Sequence, residues 1–270
     1  MTLTAPDSRP LLWLARQESR ISWRDLEYLM TAGGRWRMRS VVIFMLAVAV
    51  IMHFIAYGMV ARYAHVTLES GASVYVAISG SVGLGFFLML SQAVEQVTRL
   101  FYGRGDLELL KSSPVSLKRL FGLRVVSIAI STTLMTLFVA APFIDILAVR
   151  GGARWLSAFG VAIAAGFATT GLALVLTALL FDTLGARRTR LAAQIVAAVI
   201  GSACIIAIQV VAIVSIGSMS QQAFFESDTV IAHAPSLDSL LWIPARAMLG
   251  DPIALLEALA LGLLALGLPM

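Results

Sequence analysis

Long apolar runs, separated by short charged segments, dominate the pattern along this chain. A helix needs roughly 20 apolar residues to cross a hydrocarbon core about 30 Å thick. Six runs reach or approach that length: Val41–Ala61, Ser73–Phe101, Phe121–Val149, Trp155–Phe181, Leu191–Gly217 and Ile253–Leu268. The pattern predicts an all-α, polytopic membrane protein with six transmembrane helices.

Composition makes lipid the main solvent for the chain. Hydrophobic residues make up 59% and charged residues 13% of the 270 residues, against about 45–50% and about 25% in an average soluble domain. The same values exclude a disordered chain, which needs low hydrophobicity and high charge. The first apolar run starts at residue 41 and is too long for a signal peptide, so we expect no cleaved leader.

The net charge of +5 is distributed unevenly. Sixteen of the 20 Lys and Arg residues lie before the first run, between the second and third runs or at their adjoining ends, and between the fourth and fifth. Because positively charged segments stay in the cytoplasm, this alternation predicts a cytoplasmic N-terminus. The charge therefore reports topology, and we expect no nucleic-acid partner.

Catalytic and metal-binding patterns are missing from the sequence. The single cysteine, Cys204, excludes an intrachain disulfide, and the three histidines are too scattered for a zinc site. Gly105 to Ser112 approximates a phosphate-binding loop, but Leu110 replaces the second glycine. We expect neither an enzyme nor a bound cofactor in this chain.

Four ionisable residues inside the runs are candidates for a transport pathway or for helix packing: His53, Glu95, Asp145 and Glu257. Arg99 lies one turn from Glu95 and is expected to pair with it. Small residues in the second and fourth runs are expected to allow close helix approach: Gly80, Gly83, Gly85, Gly160, Ala164, Gly166 and Gly171.

Residues 1–40 are predicted to form a cytoplasmic segment ahead of a membrane domain at 41–270. Within it, residues 11–32 favour an amphipathic helix, because Ser22 and Asp25 fit a capping box. Two interpretations stay open: an interfacial anchor, or an elbow helix that leads force into the first membrane helix.

The segment between the second and third runs has the pattern of a short exposed helix. Gly103 and Gly105 permit a sharp turn, Leu107 and Leu110 share one face, and Pro114 ends the helix. A two-turn amphipathic helix on the cytoplasmic side suits docking into a groove of another protein. A structural loop along the membrane surface is the equally weighted alternative.

The connection at 218–252 is the longest one between apolar runs. Leu237, Leu240 and Leu241 predict a short interfacial or re-entrant helix before Pro244. The alternative is a lipid-headgroup anchor through Trp242, which is common at this depth.

Two stretches carry a resemblance to a known family. They are Arg104-Gly-Asp-Leu-Glu-Leu-Leu-Lys-Ser-Ser-Pro-Val-Ser and Leu241-Trp-Ile-Pro-Ala-Arg-Ala-Met-Leu-Gly-Asp-Pro. Together with the six runs they resemble the permeases of ABC-2 type transporters. The resemblance implies one subunit of a bacterial inner-membrane exporter, paired with a separate ABC ATPase that alone binds ATP, and with a second permease unit. It assigns ATPase coupling to Arg104, Gly105, Asp106, Leu107, Glu108, Leu109, Leu110, Lys111, Ser112, Ser113 and Pro114.

Other functions remain open at the level of the sequence. An ion-driven secondary transporter is one, although residues 41–149 and 155–268 show no convincing repeat. A structural or assembly protein of the membrane is another. The chain ends almost inside its sixth run, so we expect either missing polypeptide or a second half that follows in a longer permease.

Overall fold

The computed structural model describes Arg16, Arg20 and residues 35–102, 117–216, 228–236 and 239–269. All regular elements among these residues are helices. The chain divides into two compact units, residues 1–55 and residues 56–270. Arg16 and Arg20 are helical, and the rest of the predicted N-terminal helix lies outside the described residues.

Four long helices carry most of the chain: α1 (Arg35–Val60), α2 (Ala72–Tyr102), α3 (Leu117–Gly151) and α4 (Ser157–Ile216). Four described segments are long and apolar enough to cross a membrane: Arg39–Val60, Ala72–Phe101, Phe121–Gly151 and Ala153–Gly185. A bent pair of helices near the C-terminus raises this number to five if the pair counts as one span. The protein is thus an all-helical, multi-pass membrane protein, and the count of six spans stays a prediction.

Helix α1 exposes most of its apolar side chains. In the first unit, Ile43, Phe44 and Phe54 are each exposed. Because lipid is as apolar as these side chains, such exposure is ordinary for a helix that crosses a bilayer.

Helix α4 is interrupted at Gly185, which has φ +71° and ψ 162°. The hydroxyl oxygen of Thr189 lies 2.9 Å from the carbonyl oxygens of both Leu180 and Gly185. In a straight helix, residues 180 and 189 would be about 14 Å apart along the axis, so the chain folds back here. The predicted loop between the fourth and fifth runs is therefore a sharp turn, which glycine permits because it adopts positive φ without a steric penalty.

Both arms of α4 pack onto the same core. Ala173 and Leu174 from the first arm, and Ala193 and Ala197 from the second, join one buried apolar cluster with α2 and α3. The Ser91 hydroxyl on α2 donates a 2.8 Å hydrogen bond to the Ala197 carbonyl. The second arm is therefore tied to α2 by packing and by a polar contact.

The described residues after α4 form three further α-helices: α5 (Asp228–Ala232), α6 (Ile243–Met248) and α7 (Pro252–Gly267). The expected short helix is present, as a 3₁₀ turn over Leu240–Trp242 that runs into α6. Its expected end at Pro244 is wrong. Pro244 lies in the first turn of α6, where the missing N–H has no helical partner to lose.

The chain bends by 118° between α6 and α7. Gly250 adopts φ +99° in the bend. The Asp251 carboxylate then accepts hydrogen bonds from the Ile253 and Ala254 amides, at 2.9 and 3.2 Å, and caps α7.

Helix α7 runs parallel to the first arm of α4. Gly160 faces Leu255 and Gly171 faces the Ala265 carbonyl, so the residue numbers rise together along both helices. The expectation of close packing at glycines of the fourth run is confirmed there and at Gly166. No described residue of this chain approaches Gly83 or Gly85 on α2, so close helix approach there stays a prediction.

Candidate functional site: the basic end of the helix bundle

The predicted coupling residues, 104–114, lie outside the described residues. The structure does describe the helices on both sides of them, since α2 ends at Tyr102 and α3 begins at Leu117. We call this end of the second unit the basic end, because the sequence places two of the three predicted basic segments beside it. The function of the basic end depends on the contacts that fix these helix ends.

An aromatic cluster joins three helices at the basic end. The Phe101 ring of α2 lies 5.9 Å from the Phe121 ring of α3 and 5.4 Å from the Phe181 ring of α4, measured between centroids. These spacings fall within the favourable range for aromatic pairs. The last turn of α2 and the first turns of α3 are thus held next to each other and next to α4.

A cavity of about 290 Å³ adjoins this cluster. Its walls are mostly apolar: Phe101, Phe121, Leu174, Val175, Ala178, Leu179, Asp182 and Pro269. Asp182 supplies the one carboxylate of this lining and is itself exposed. The C-terminal end of α7 therefore reaches the basic end through Pro269.

Polar side chains connect α2 and α3 close to the basic end. The Ser131 hydroxyl donates a 2.7 Å hydrogen bond to Gln96 Oε1, and Gln96 Nε2 donates to Thr132 Oγ1 at 3.3 Å. The expected pairing of Glu95 with Arg99 is confirmed at 2.6 Å. Both charged side chains are exposed, so this pair contributes little to stability by itself.

The other predicted polar candidates lie apart from Glu95. Asp145 is half-buried on α3, fourteen residues beyond Ser131, which is about 21 Å along the axis. Glu257 is exposed near the start of α7. In the first unit, His53 Nδ1 donates a 2.7 Å hydrogen bond to the Ala49 carbonyl within its own helix. Whether any of them serves a pathway stays a prediction.

The far end of the second unit, opposite the basic end, contains a network of aromatic contacts and hydrogen bonds that sequence reasoning missed. We call it the far-end network. The Ala64 carbonyl accepts hydrogen bonds from Trp155 Nε1 at 3.0 Å and from the Arg154 guanidinium at 3.1 Å. Gly151 packs directly against the same carbonyl, where a side chain would clash. The signal available in the sequence was a Gly-Gly pair followed by Arg and Trp.

Trp242 belongs to the far-end network and is not a headgroup anchor. Its side chain is 5% exposed, and its ring meets Tyr75 edge-on with centroids 6.0 Å apart. The indole N–H donates to the Ser236 carbonyl at 3.0 Å, and the Tyr75 hydroxyl donates to the Leu68 carbonyl at 3.0 Å. Both aromatic groups bind loop carbonyls, so they fasten loops together instead of facing lipid.

Among the residues with a described position, no group of three or more His, Cys, Asp or Glu side chains is arranged to hold a metal ion. No family model, curated protein or solved structure matches the chain. The fold defines the class, a multi-pass helical membrane protein, and the family resemblance stays a prediction carried by the residues quoted above.

Proposed function

We propose that the protein is the permease subunit of an ATP-driven exporter of the ABC-2 type, working with a separate ABC ATPase subunit. Residues 104–114 dock into that ATPase, and a second permease unit completes the translocation pathway. ATP binds only to the partner. The resemblance of residues 104–116 and 241–252 to this family supports the proposal.

The observation that carries the proposal is the aromatic contact of Phe101 with Phe121 and Phe181. Residues 103–116 are covalently joined to α2 and α3 just beyond this contact. A displacement of the segment by a partner is therefore transmitted to three membrane helices at once.

The far end supports the same mechanism. Trp155, Arg154 and Trp242 bind loop carbonyls there, so the connections between helices are tied by several hydrogen bonds. A helix that is fastened at one end and pushed at the other pivots, because packed cores shift between discrete arrangements more readily than they deform. In this mechanism the basic end opens and closes while the far end stays fixed.

The proposed orientation puts the basic end in the cytoplasm and the N-terminus on the same side of a bacterial inner membrane. The distribution of Lys and Arg supports it, since sixteen of 20 fall in alternate segments. An ATPase that uses cytoplasmic ATP requires its docking segment on that side.

The test is co-purification of an ABC ATPase with the tagged chain from its own membranes. The readout is the ATPase activity of the purified fraction. Replacing Leu107→Asp and Leu110→Asp together places two charges on the face predicted to enter the partner's groove, and we expect the ATPase to be lost. Leu68→Asp is the matched control, because Leu68 is exposed in a loop at the far end, and it should retain the ATPase.

Retention of the ATPase by the double variant contradicts the assigned docking segment. Absence of any ATPase from the unaltered chain contradicts the permease itself. In that case, uptake driven by an ion gradient in vesicles without ATPase would identify a secondary transporter instead.

A further inference from the structure

One side of the bundle near the basic end is polar, and its residues are exposed except for the half-buried Gln96. It consists of Glu95, Gln96 and Arg99 on α2 and Ser131 on α3, and we call it the polar face. The side chains of Glu95 and Arg99 are 51% and 78% exposed. Gln96 binds Ser131 and Thr132, so the polar face is one continuous surface across two helices.

The polar face extends from the basic end into the membrane: Arg99 and Glu95 lie about 3 Å and about 9 Å from Phe101, where the apolar segment of α2 ends. Ser131 is ten residues inside the apolar segment that starts at Phe121, which is about 15 Å along the axis. Val126 lies closer to the basic end on the same helix and is 40% exposed. Exposed apolar side chains thus continue past Ser131 toward the basic end.

Other sides of the bundle are apolar at the same level. Val175 lies six residues before Phe181, as Glu95 lies six residues before Phe101, and its side chain is 43% exposed. Ile195 lies two residues from Ala197, whose carbonyl binds Ser91 on α2, and its side chain is 54% exposed. At one depth, therefore, the bundle presents a valine and an isoleucine on some sides and an ion pair, an amide and a hydroxyl on another.

Lipid is the wrong solvent for the polar face. A charged side chain is costly at membrane depth, because hydrocarbon does not replace its hydration. Pairing of Glu95 with Arg99 reduces this cost, but both charges still lose their hydration in lipid. Polar side chains at membrane depth ordinarily face a bundle interior or a water-filled cavity.

We propose that the polar face is the wall of a water-filled vestibule that penetrates the membrane from the basic end between the proposed permease and its neighbours. We assign the vestibule the role of an entrance through which the polar part of a cargo passes. This role rests on the proposed function. Glu95, Gln96 and Ser131 then supply a carboxylate, an amide and a hydroxyl to that part. Water access itself requires no ATPase.

The test uses cysteine reactivity toward a charged methanethiosulfonate in freeze–thawed membrane vesicles, in which both membrane surfaces are reachable. The background is Cys204→Ala, which removes the only native thiol. Ser131→Cys is compared with Ile130→Cys, because Ile130 is the adjacent residue and is 50% exposed on another side of α3. Glu95→Cys is compared with Phe87→Cys, which is 41% exposed on α2.

We expect the polar-face cysteines to react at least about tenfold faster than their controls, because only a thiol in water ionises to the reactive thiolate. Gln92→Cys, one turn from Glu95, replaces Glu95→Cys if the latter is not recovered from membranes. Equal reactivity of each polar-face cysteine and its control overturns the vestibule, and shows that lipid or protein covers the face.

The outcome is separable from the test of the permease. Fast labelling without a bound ATPase retains the vestibule and rejects the ABC partner. Slow labelling with a bound ATPase retains the permease and rejects this entrance.

Discussion

The Ala64 carbonyl shows how single residues hold the far end together. It accepts hydrogen bonds from both Trp155 and Arg154, and it lies against the bare α-carbon of Gly151. Trp155 is 1% exposed, so its indole N–H would be costly to leave unpaired. The arrangement depends on three residues from one stretch of chain meeting a carbonyl about 90 residues earlier.

Trp155→Phe keeps an aromatic ring in the far-end network but removes the N–H donor. We expect a loss of about 2 kcal/mol in the free energy of unfolding, from the missing hydrogen bond and the smaller ring. Thermal unfolding of the purified protein in detergent measures it. Leu156→Ala, at the adjacent 50% exposed position, should change stability by no more than about 0.5 kcal/mol. Equal effects would mean that the indole bond contributes nothing.

Thr189 has a comparable role at the basic end. Its side chain is fully buried and reaches across the break in α4 to the Leu180 carbonyl. Thr183 is exposed and bonds only to the Leu179 carbonyl in its own helical turn. The two threonines differ in burial and in whether their bond crosses the turn.

Thr189→Val preserves shape and removes the hydroxyl, so we expect a loss of about 1–3 kcal/mol, the usual cost of leaving a buried group unpaired. Thr183→Val should cost less than about 0.5 kcal/mol. Chemical or thermal unfolding of both variants side by side measures the difference. A harmless Thr189→Val would show that Gly185 alone maintains the turn.

At the scale of elements, the contact between α4 and α7 depends on glycine. Gly171 approaches the Ala265 backbone, and Gly262 approaches that of Ala164. Without a hydrophobic driving force between helices in lipid, such close approach supplies the dispersion contacts that hold them together. Backbone atoms cannot move aside as a flexible side chain can, so an added methyl group here would force the two helices apart.

Gly171→Ala and Gly83→Ala make a matched pair of substitutions. We expect Gly171→Ala to destabilise the protein by about 1–3 kcal/mol through overpacking. Gly83→Ala should be neutral or stabilising by up to about 1 kcal/mol, because its α-carbon has open space and alanine favours helix. Unfolding of both variants in detergent measures the difference in stability. The reverse ranking would contradict the described packing of α7.

At the scale of the whole molecule, orientation follows from charge more than from shape. The predicted basic segments include Arg188, which is exposed beside the turn in α4, whereas Glu69 is exposed in the loop between α1 and α2. The proposed topology puts these two residues on opposite sides of the membrane. The proposed mechanism requires the side of Arg188 to be the cytoplasmic one.

Labelling of intact cells tests this topology in the Cys204→Ala background. A membrane-impermeant charged thiol reagent should modify Glu69→Cys in intact cells and Arg188→Cys only after permeabilisation, because the bilayer excludes the charged reagent from the cytoplasm. Labelling of both in intact cells would show that the two loops lie on one side. Labelling of Arg188→Cys alone would invert the orientation.

The sequence by itself determined the helical class, the positions of four apolar spans and the pairing of Glu95 with Arg99. These features depend on local periodicity, on hydrophobic length and on neighbours one turn apart, all of which a single stretch of chain encodes. The proposed coupling segment, the resemblance and the cargo entrance go beyond that level and depend on the experiments above.

Only the tertiary structure decided that Trp242 is buried, that α4 reverses at Gly185 and that Gly171 packs closely while no described residue approaches Gly83. In each case the outcome depends on which distant residues arrive at a position. A tryptophan near a membrane surface is an anchor or a core residue according to whether a loop covers it. A glycine in a helix packs closely or lies beside open space according to which helix lies opposite. The position of that helix depends on residues distributed over the whole chain.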